Sequence, residues 1–186
     1  LPVRLCYTGN TYTNTLKLQG KLKEVTQIGA ELVNDDSSAA DAEIIATVID
    51  CFNEIGISDF QIEIGQIDYF KGLVAESGIS EDEEDQIKEY IHIKNFFGLE
   101  EYVDALDISD SLKKAFVAFD SLFGGISMLD KAEGYVSNET SLEAVKRLRR
   151  VYAALECYGY QDHISFDLGM LDGYNYYTGI IFRGYT

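Results

Sequence analysis

The stretch Arg4-Leu5-Cys6-Tyr7-Thr8-Gly9, taken with Lys23-Glu24-Val25-Thr26-Gln27-Ile28-Gly29-Ala30-Glu31-Leu32-Val33, decides how the chain is read. Leu5 and Tyr7 alternate with Arg4 and Cys6, and the extended pattern runs to about Thr13. Strand side chains point to opposite faces in turn, so the alternation predicts a strand. A polar, lysine-bearing stretch from Asn14 to Lys23 follows, and extended character resumes through Val33. Two strands around such a connection predict a hairpin with a long loop, where binding groups often sit. Gln27, Gly29 and Glu31 fall on one face of the second strand. An amide and a carboxylate flanking a bare glycine would leave a concave polar spot, suited to an ammonium group or a ring N–H. A solvated sheet face is the other reading of the same spacing.

Beyond the hairpin, Asn34-Asp35-Asp36-Ser37-Ser38 is turn chemistry leading into a helix, and Asp41 stands three residues after Ser38 in an acidic variant of the capping-box spacing. Ile45, Val48, Ile49, Phe52 and Ile55 share one helical face, and Gly56 closes the helix. Phe60, Ile62 and Ile64 then alternate with Gln61 and Glu63 as a short strand with one buried face. From about 68 to 134 the pattern predicts short helices, one opened by Ser80 and Glu83 with the acidic run Glu81 to Asp85 at its positive end. Leu112, Phe116, Phe119 and Phe123 supply an apolar stripe there. A long helix runs from Thr140, capped with Glu143, to Tyr158, burying Val145, Leu148, Tyr152 and Leu155. Ile164, Phe166 and Leu168 alternate again, and Tyr174 to Tyr185 reads as a final strand with Tyr176 and Tyr177 on opposite faces. The fold class is α+β, a mainly antiparallel sheet flanked by helices, within one domain over 1–186.

Composition narrows the function. The 186 residues carry 15 Lys plus Arg against 32 Asp plus Glu, a formal charge of −17. That field repels phosphate backbones and anionic membranes, so it weighs against nucleic acid and membrane partners. Cys6, Cys51 and Cys157 are odd in number and far apart, and His92 and His163 are the only histidines. Neither a disulfide framework, a structural metal nor a cofactor is expected, and a reducing cytoplasm is. No apolar run approaches a membrane span of ~20 residues. The chain starts at Leu1, not Met, and is read as a piece of a longer protein. Lys146, Arg147, Arg149 and Arg150 form a basic run on the long helix, read as a solvated face, with a partner or RNA contact as the alternative.

Asp172-Gly-Tyr-Asn-Tyr176-Tyr177-Thr178-Gly179-Ile-Ile-Phe182 is the second stretch that stands out. On its own it reads as a tyrosine-rich strand with hydroxyls at the sheet rim. Together with the hairpin it resembles the histidyl branch of the class II aminoacyl-tRNA synthetases. Arg4 to Val33 is similar to that family's motif 2, with Gly20, Lys21 and Lys23 falling where the family carries a glycine and basic residues ahead of Gln-x-Gly-x-Glu. Tyr176-Tyr177-Thr178-Gly179 resembles its histidine-specific motif. The resemblance implies a partial class II synthetase core with a helical insertion over about 68–134. It implies that Gln27 holds the α-amino group of histidine while Glu31 and Tyr177 address the imidazole.

The chain departs from the family where charge matters. Active histidyl enzymes end the first motif 2 strand in Phe-Arg-x-Glu, the Arg gripping the α-phosphate of ATP, whereas Tyr12-Thr13-Asn14-Thr15 stands here. Their later motif carries a second catalytic arginine where this sequence has Asp172. Adenylate formation builds negative charge on the α-phosphate, and losing one positioned donor typically costs ~2.7–4 kcal/mol. Thr13 and Asp172 therefore mark lost catalytic positions, while Gln27, Glu31 and Tyr177 remain. A site that keeps amino-acid recognition without ATP chemistry resembles the synthetase-like regulatory subunits of ATP phosphoribosyltransferase, which join a short catalytic subunit at the first step of histidine biosynthesis. That resemblance implies a non-catalytic subunit whose partners are the short-form catalytic subunit and L-histidine. The alternatives are an active histidine–tRNA ligase and a stand-alone histidine-binding module. The family's motifs 1 and 3 would lie beyond Leu1 and Thr186, so open sheet edges and self-association are expected.

Overall fold

The computed structural model describes residues 1–14, 22–171 and 176–186. Strands β1 (Val3–Tyr12) and β2 (Glu24–Val33) pair antiparallel along their whole length, Val3 opposite Val33 and Tyr12 opposite Glu24. The chain then enters helix α1 (Ser38–Glu54), whose cap is Ser37, not Ser38: the Ser37 hydroxyl accepts from the Ala40 N–H. Asp35 takes the Ser37 N–H in turn, which fixes the tight entry, and the Ser37 side chain together with that N–H lowers the Asp35 carboxyl pKa. Ile45 and Ile49 are buried beneath α1, and Gly56 follows it at φ 80°, a backbone conformation in which glycine has no Cβ to strain.

Strand β3 (Gln61–Gln66) leads directly into α2 (Ile67–Ser77), with the Gln66 side chain accepting from the Asp68 N–H as its cap. Helices α3 (Glu81–His92), α4 (Phe96–Asp104) and α5 (Asp110–Val117), the two-residue strand β4 (Phe123–Gly124) and α6 (Met128–Gly134) follow. The Ser80–Glu83 capping box forms in full. The apolar stripe of the sequence is shorter than expected: Leu112, Phe116 and Phe119 are buried, but Phe123 is 60% exposed. The chain leaves its 3₁₀ turn at Ala118–Asp120 and Phe123 becomes an edge-strand residue, so helical periodicity no longer governs where it points.

Helix α7 (Glu139–Tyr158) begins one residue before Thr140, and its cap is Asn138, whose side chain accepts from the Ser141 N–H at 2.7 Å. It packs on α1 and α2 and buries Ala144, Val145, Leu148, Val151 and Leu155, with Tyr152 half-buried. Strands β5 (Ile164–Asp167) and β6 (Ile180–Tyr185) complete a four-stranded sheet in the order β4-β5-β3-β6. Among the described residues, the hairpin and two of this sheet's three pairings are antiparallel; β3 and β5 run parallel, joined by the helical segment and α7. The final strand starts at Ile180, so Tyr176 and Tyr177 precede it and the strand alternation does not orient them. The β1–β2 hairpin forms a separate two-stranded sheet. It is held to α1 through Arg4 and Glu43, including an Arg4 Nη2–Glu43 Oε2 contact of 2.7 Å that raises the Arg4 pKa and lowers that of Glu43.

Candidate functional site

Residues opposite each other in an antiparallel pair share a face, so Leu5 with Glu31, Tyr7 with Gly29 and Gly9 with Gln27 line one side of the hairpin. The Tyr7 ring lies flat across Gly29: a Cβ built on that glycine would overlap Cζ, Cε1 and the hydroxyl of Tyr7. The bare spot expected between Gln27 and Glu31 is therefore filled. Gln27, opposite Gly9, reaches diagonally to Tyr7 and donates Nε2–H to its hydroxyl at 3.3 Å. The expected concave spot is instead a tyrosine ring bordered by an amide and a carboxylate, both exposed.

The opposite face of the hairpin holds a network not anticipated from the sequence. Glu24 accepts from Asn10 at 2.7 Å and from the Tyr12 hydroxyl at 2.9 Å, and Thr26 donates to Asn10 at 2.8 Å. Cross-strand polar pairs of this kind become visible once register is known, and a long hairpin loop leaves register open. Thr13 follows at the strand end, exposed, its N–H donating to the Lys23 carbonyl at 2.9 Å. Thr15, Gly20, Lys21 and Asp172 lie outside the described residues.

Tyr177 belongs to a different cleft. It is 51% exposed, packs edge-on against Tyr176 at a centroid distance of 5.0 Å, and accepts at its carbonyl from Lys71 Nζ at 3.4 Å. It lines a cleft of about 310 Å³ with Met170, Ile180, Ile181, Phe182 and Arg183. Ile180 and Phe182 also border a smaller cleft of about 130 Å³ shared with Leu32 at the hairpin base and with α1. Among the described residues Gln27 and Glu31 thus share a surface, while Tyr177 lies in a cleft that neither of them lines.

The arginines of the basic run on α7 each have acidic partners. Arg147 donates to Asp41 at 2.8 Å and Asp36 at 3.0 Å, which raises its pKa. Arg149 reaches Asp130 and Glu133, and Arg150 reaches Glu143 and Ser38. Lys146 and Arg150 are exposed, as a solvated face requires, while Arg147 and Arg149 are half-buried and tie α7 to the start of α1 and to α6. Cys6, Cys51 and Cys157 are unbonded and exposed. Among the described residues no three His, Cys, Asp or Glu side chains are grouped so as to hold a metal ion.

Residues 1–186 match the sequence model of a family described as histidyl-tRNA synthetase. The chain belongs to that family. Within the histidyl-tRNA synthetase family it is 43% identical over 185 residues to an ATP phosphoribosyltransferase regulatory subunit from Acetivibrio thermocellus, covering 100% of this chain and 44% of the relative. The fold superposes with a TM-score of 0.90 and 32% identity on a solved ATP phosphoribosyltransferase regulatory subunit/histidyl-tRNA synthetase from Bacillus halodurans, over 100% of this chain and 48% of the other. An ATP phosphoribosyl transferase complex from Thermotoga maritima shares the fold at TM-score 0.76 and 18% identity, over 100% of this chain and 64% of that one. The chain spans under half the length of curated relatives it matches. The fold class is accordingly that of the class II synthetase core, α+β with a mainly antiparallel sheet.

Proposed function

We propose that this chain is part of the synthetase-like core of an ATP phosphoribosyltransferase regulatory subunit. It makes no aminoacyl-adenylate itself and acts with a short-form catalytic subunit at the first step of histidine biosynthesis, in the cytoplasm. The observation that carries this reading is the 43% identity over the whole chain to a regulatory subunit. The chemistry supports it. Thr13 stands where the resemblance expects the cation that adenylation needs, and Asp172 puts an acid where it expects an arginine. An anion near developing phosphate charge opposes the reaction that a cation would favour.

Histidine recognition belongs to this proposal, with Gln27 for the α-amino group and Glu31 and Tyr177 for the imidazole. Because Tyr177 lines a separate cleft, the reading requires it to approach the hairpin face when ligand is bound or the rest of the protein is present. Residues 68–134 are read as a helical insertion in the core. Self-association is also part of the reading: β1 and β2 each carry an edge that no described strand pairs, and Leu5, Val25 and Ile28 are exposed beside them. Residues 1–186 that sediment as a monomer at high concentration would contradict that part.

The second reading, a histidine–tRNA ligase, is favoured by the family match itself. ATP–pyrophosphate exchange in the full-length protein separates the two. The regulatory reading expects no histidine-dependent exchange above background; robust exchange would replace it with the ligase.

A further inference from the structure

Gly29 is required by the ring laid across it. The backbone of β2 is regular here and the glycine has no positive φ, so its conformational freedom is not in use. What the position excludes is a Cβ, because Tyr7 occupies that space. The ring in turn brings its hydroxyl to the Gln27 amide, which donates Nε2–H to it at 3.3 Å. An amide has one donor end and one acceptor end. With Nε2 turned back to Tyr7, the Gln27 Oε1 is the end left for an incoming group.

We infer that Tyr7 is a positioning residue for the amino group of the ligand on this hairpin face: seated on Gly29, its hydroxyl accepts from Gln27 Nε2–H and holds that side chain in the rotamer that turns Oε1 outward, the amide orientation an alkylammonium then selects. This rests on the proposed role of Gln27 in holding an α-amino group. A free glutamine on an exposed strand samples both amide orientations and several rotamers, and only one presents its acceptor. A ligand ammonium, which has donors and no acceptor, is recognised by the oxygen alone. Gly9, opposite Gln27, has open space where a side chain would stand, so nothing from β1 other than Tyr7 crowds the amide there. Glu31, two residues beyond Gly29 on the same face, adds a carboxylate that favours a cationic ligand and repels an anionic one.

The test is a double-mutant cycle on the full-length protein, with L-histidine affinity measured by calorimetry for wild type, Tyr7→Phe, Gln27→Ala and the double variant. Removing the hydroxyl should weaken L-histidine by roughly tenfold, the scale of one lost polar contact. In the Gln27→Ala background the same change should alter affinity by less than about twofold, because Tyr7 then has nothing to orient. Gly29→Ala, which displaces the ring while keeping its hydroxyl, should reproduce the Tyr7→Phe loss, with thermal melts confirming that each variant folds. Equal losses from Tyr7→Phe in both backgrounds would mean that Tyr7 acts independently of Gln27 and would overturn the assignment, as would no loss in either. Wild type that binds no L-histidine would overturn the pocket reading and this assignment together, an outcome distinct from both.

Discussion

Ser141 on α7 donates its hydroxyl to the Tyr69 carbonyl on α2 at 2.8 Å, across 72 positions of sequence and with Ser141 fully buried. The contact forms because α2 carries Gly72 at the crossing point. A Cβ there would overlap Ser141 Oγ and Asn138 Oδ1, the atom that caps α7. Small residues thus let two helices approach at the centre of the core. The Tyr69 hydroxyl ties α2 to the Ala132 carbonyl as well, and burial raises the Tyr69 pKa.

Gly72→Ala should destabilise the protein by about 1–3 kcal/mol despite the better helix propensity of alanine, because the added methyl overpacks the crossing. Ser141→Ala should cost only ~0.5–1.5 kcal/mol, since one hydrogen bond is lost and no atom is crowded. Denaturant midpoints for both variants check the order.

Arg147 joins α7 to the start of α1 through Asp41 and Asp36, with Arg147 and Asp41 each mostly shielded. Arg147→Ala should cost ~1–2 kcal/mol, at the lower end for charge-assisted bonds because Asp36 is solvent-facing. Lys146→Ala, whose contact to Glu143 at 4.0 Å is exposed, should shift stability by less than about 0.5 kcal/mol. Equal effects would mean that the basic run is not a clamp.

The Ser80–Glu83 box carries a pH signature. The Ser80 N–H donates to the Glu83 carboxylate at 2.8 Å and lowers its pKa below the ordinary carboxylate range. A group whose folded pKa is depressed stabilises fully above its unfolded value, ~4.3, and that contribution is lost as pH falls through the folded value. The melting-temperature advantage of wild type over Glu83→Gln should therefore be constant from pH 7 to about 5 and shrink below ~4.3. An advantage that grows on acidification would contradict the assignment.

Phe116 and Phe123 fall on one helical stripe in the sequence, yet only Phe116 is buried. Phe116→Ala should cost ~3–5 kcal/mol, and Phe123→Ala should stay near neutral. Urea titration of the pair tests where the chain leaves the helix.

Much of this fold was legible because its elements are amphipathic and well punctuated. The β1 and β2 alternation, the Ser80 cap and the buried stripe of α7 follow from local chemistry that tertiary packing did not override. Caps moved by one or two residues, to Ser37 and Asn138, where several polar residues in a row compete for the same role. Strand β4, at two residues, is too short to have a period. The parallel β3–β5 pairing depends on chain topology that no single window contains. At the site, the common face of Gln27 and Glu31 followed from the two-residue period. The Tyr7 ring over Gly29 did not, because it requires the register between two strands.

The central claim is that this protein regulates a phosphoribosyl transfer carried out by a partner. The most direct test mixes the full-length protein with a short-form ATP phosphoribosyltransferase catalytic subunit, follows phosphoribosyl-ATP formation, and then titrates L-histidine. The account predicts activation by the added protein and reversal of that activation by histidine. A catalytic subunit equally active with and without the protein, at concentrations of both that saturate any complex, would contradict it.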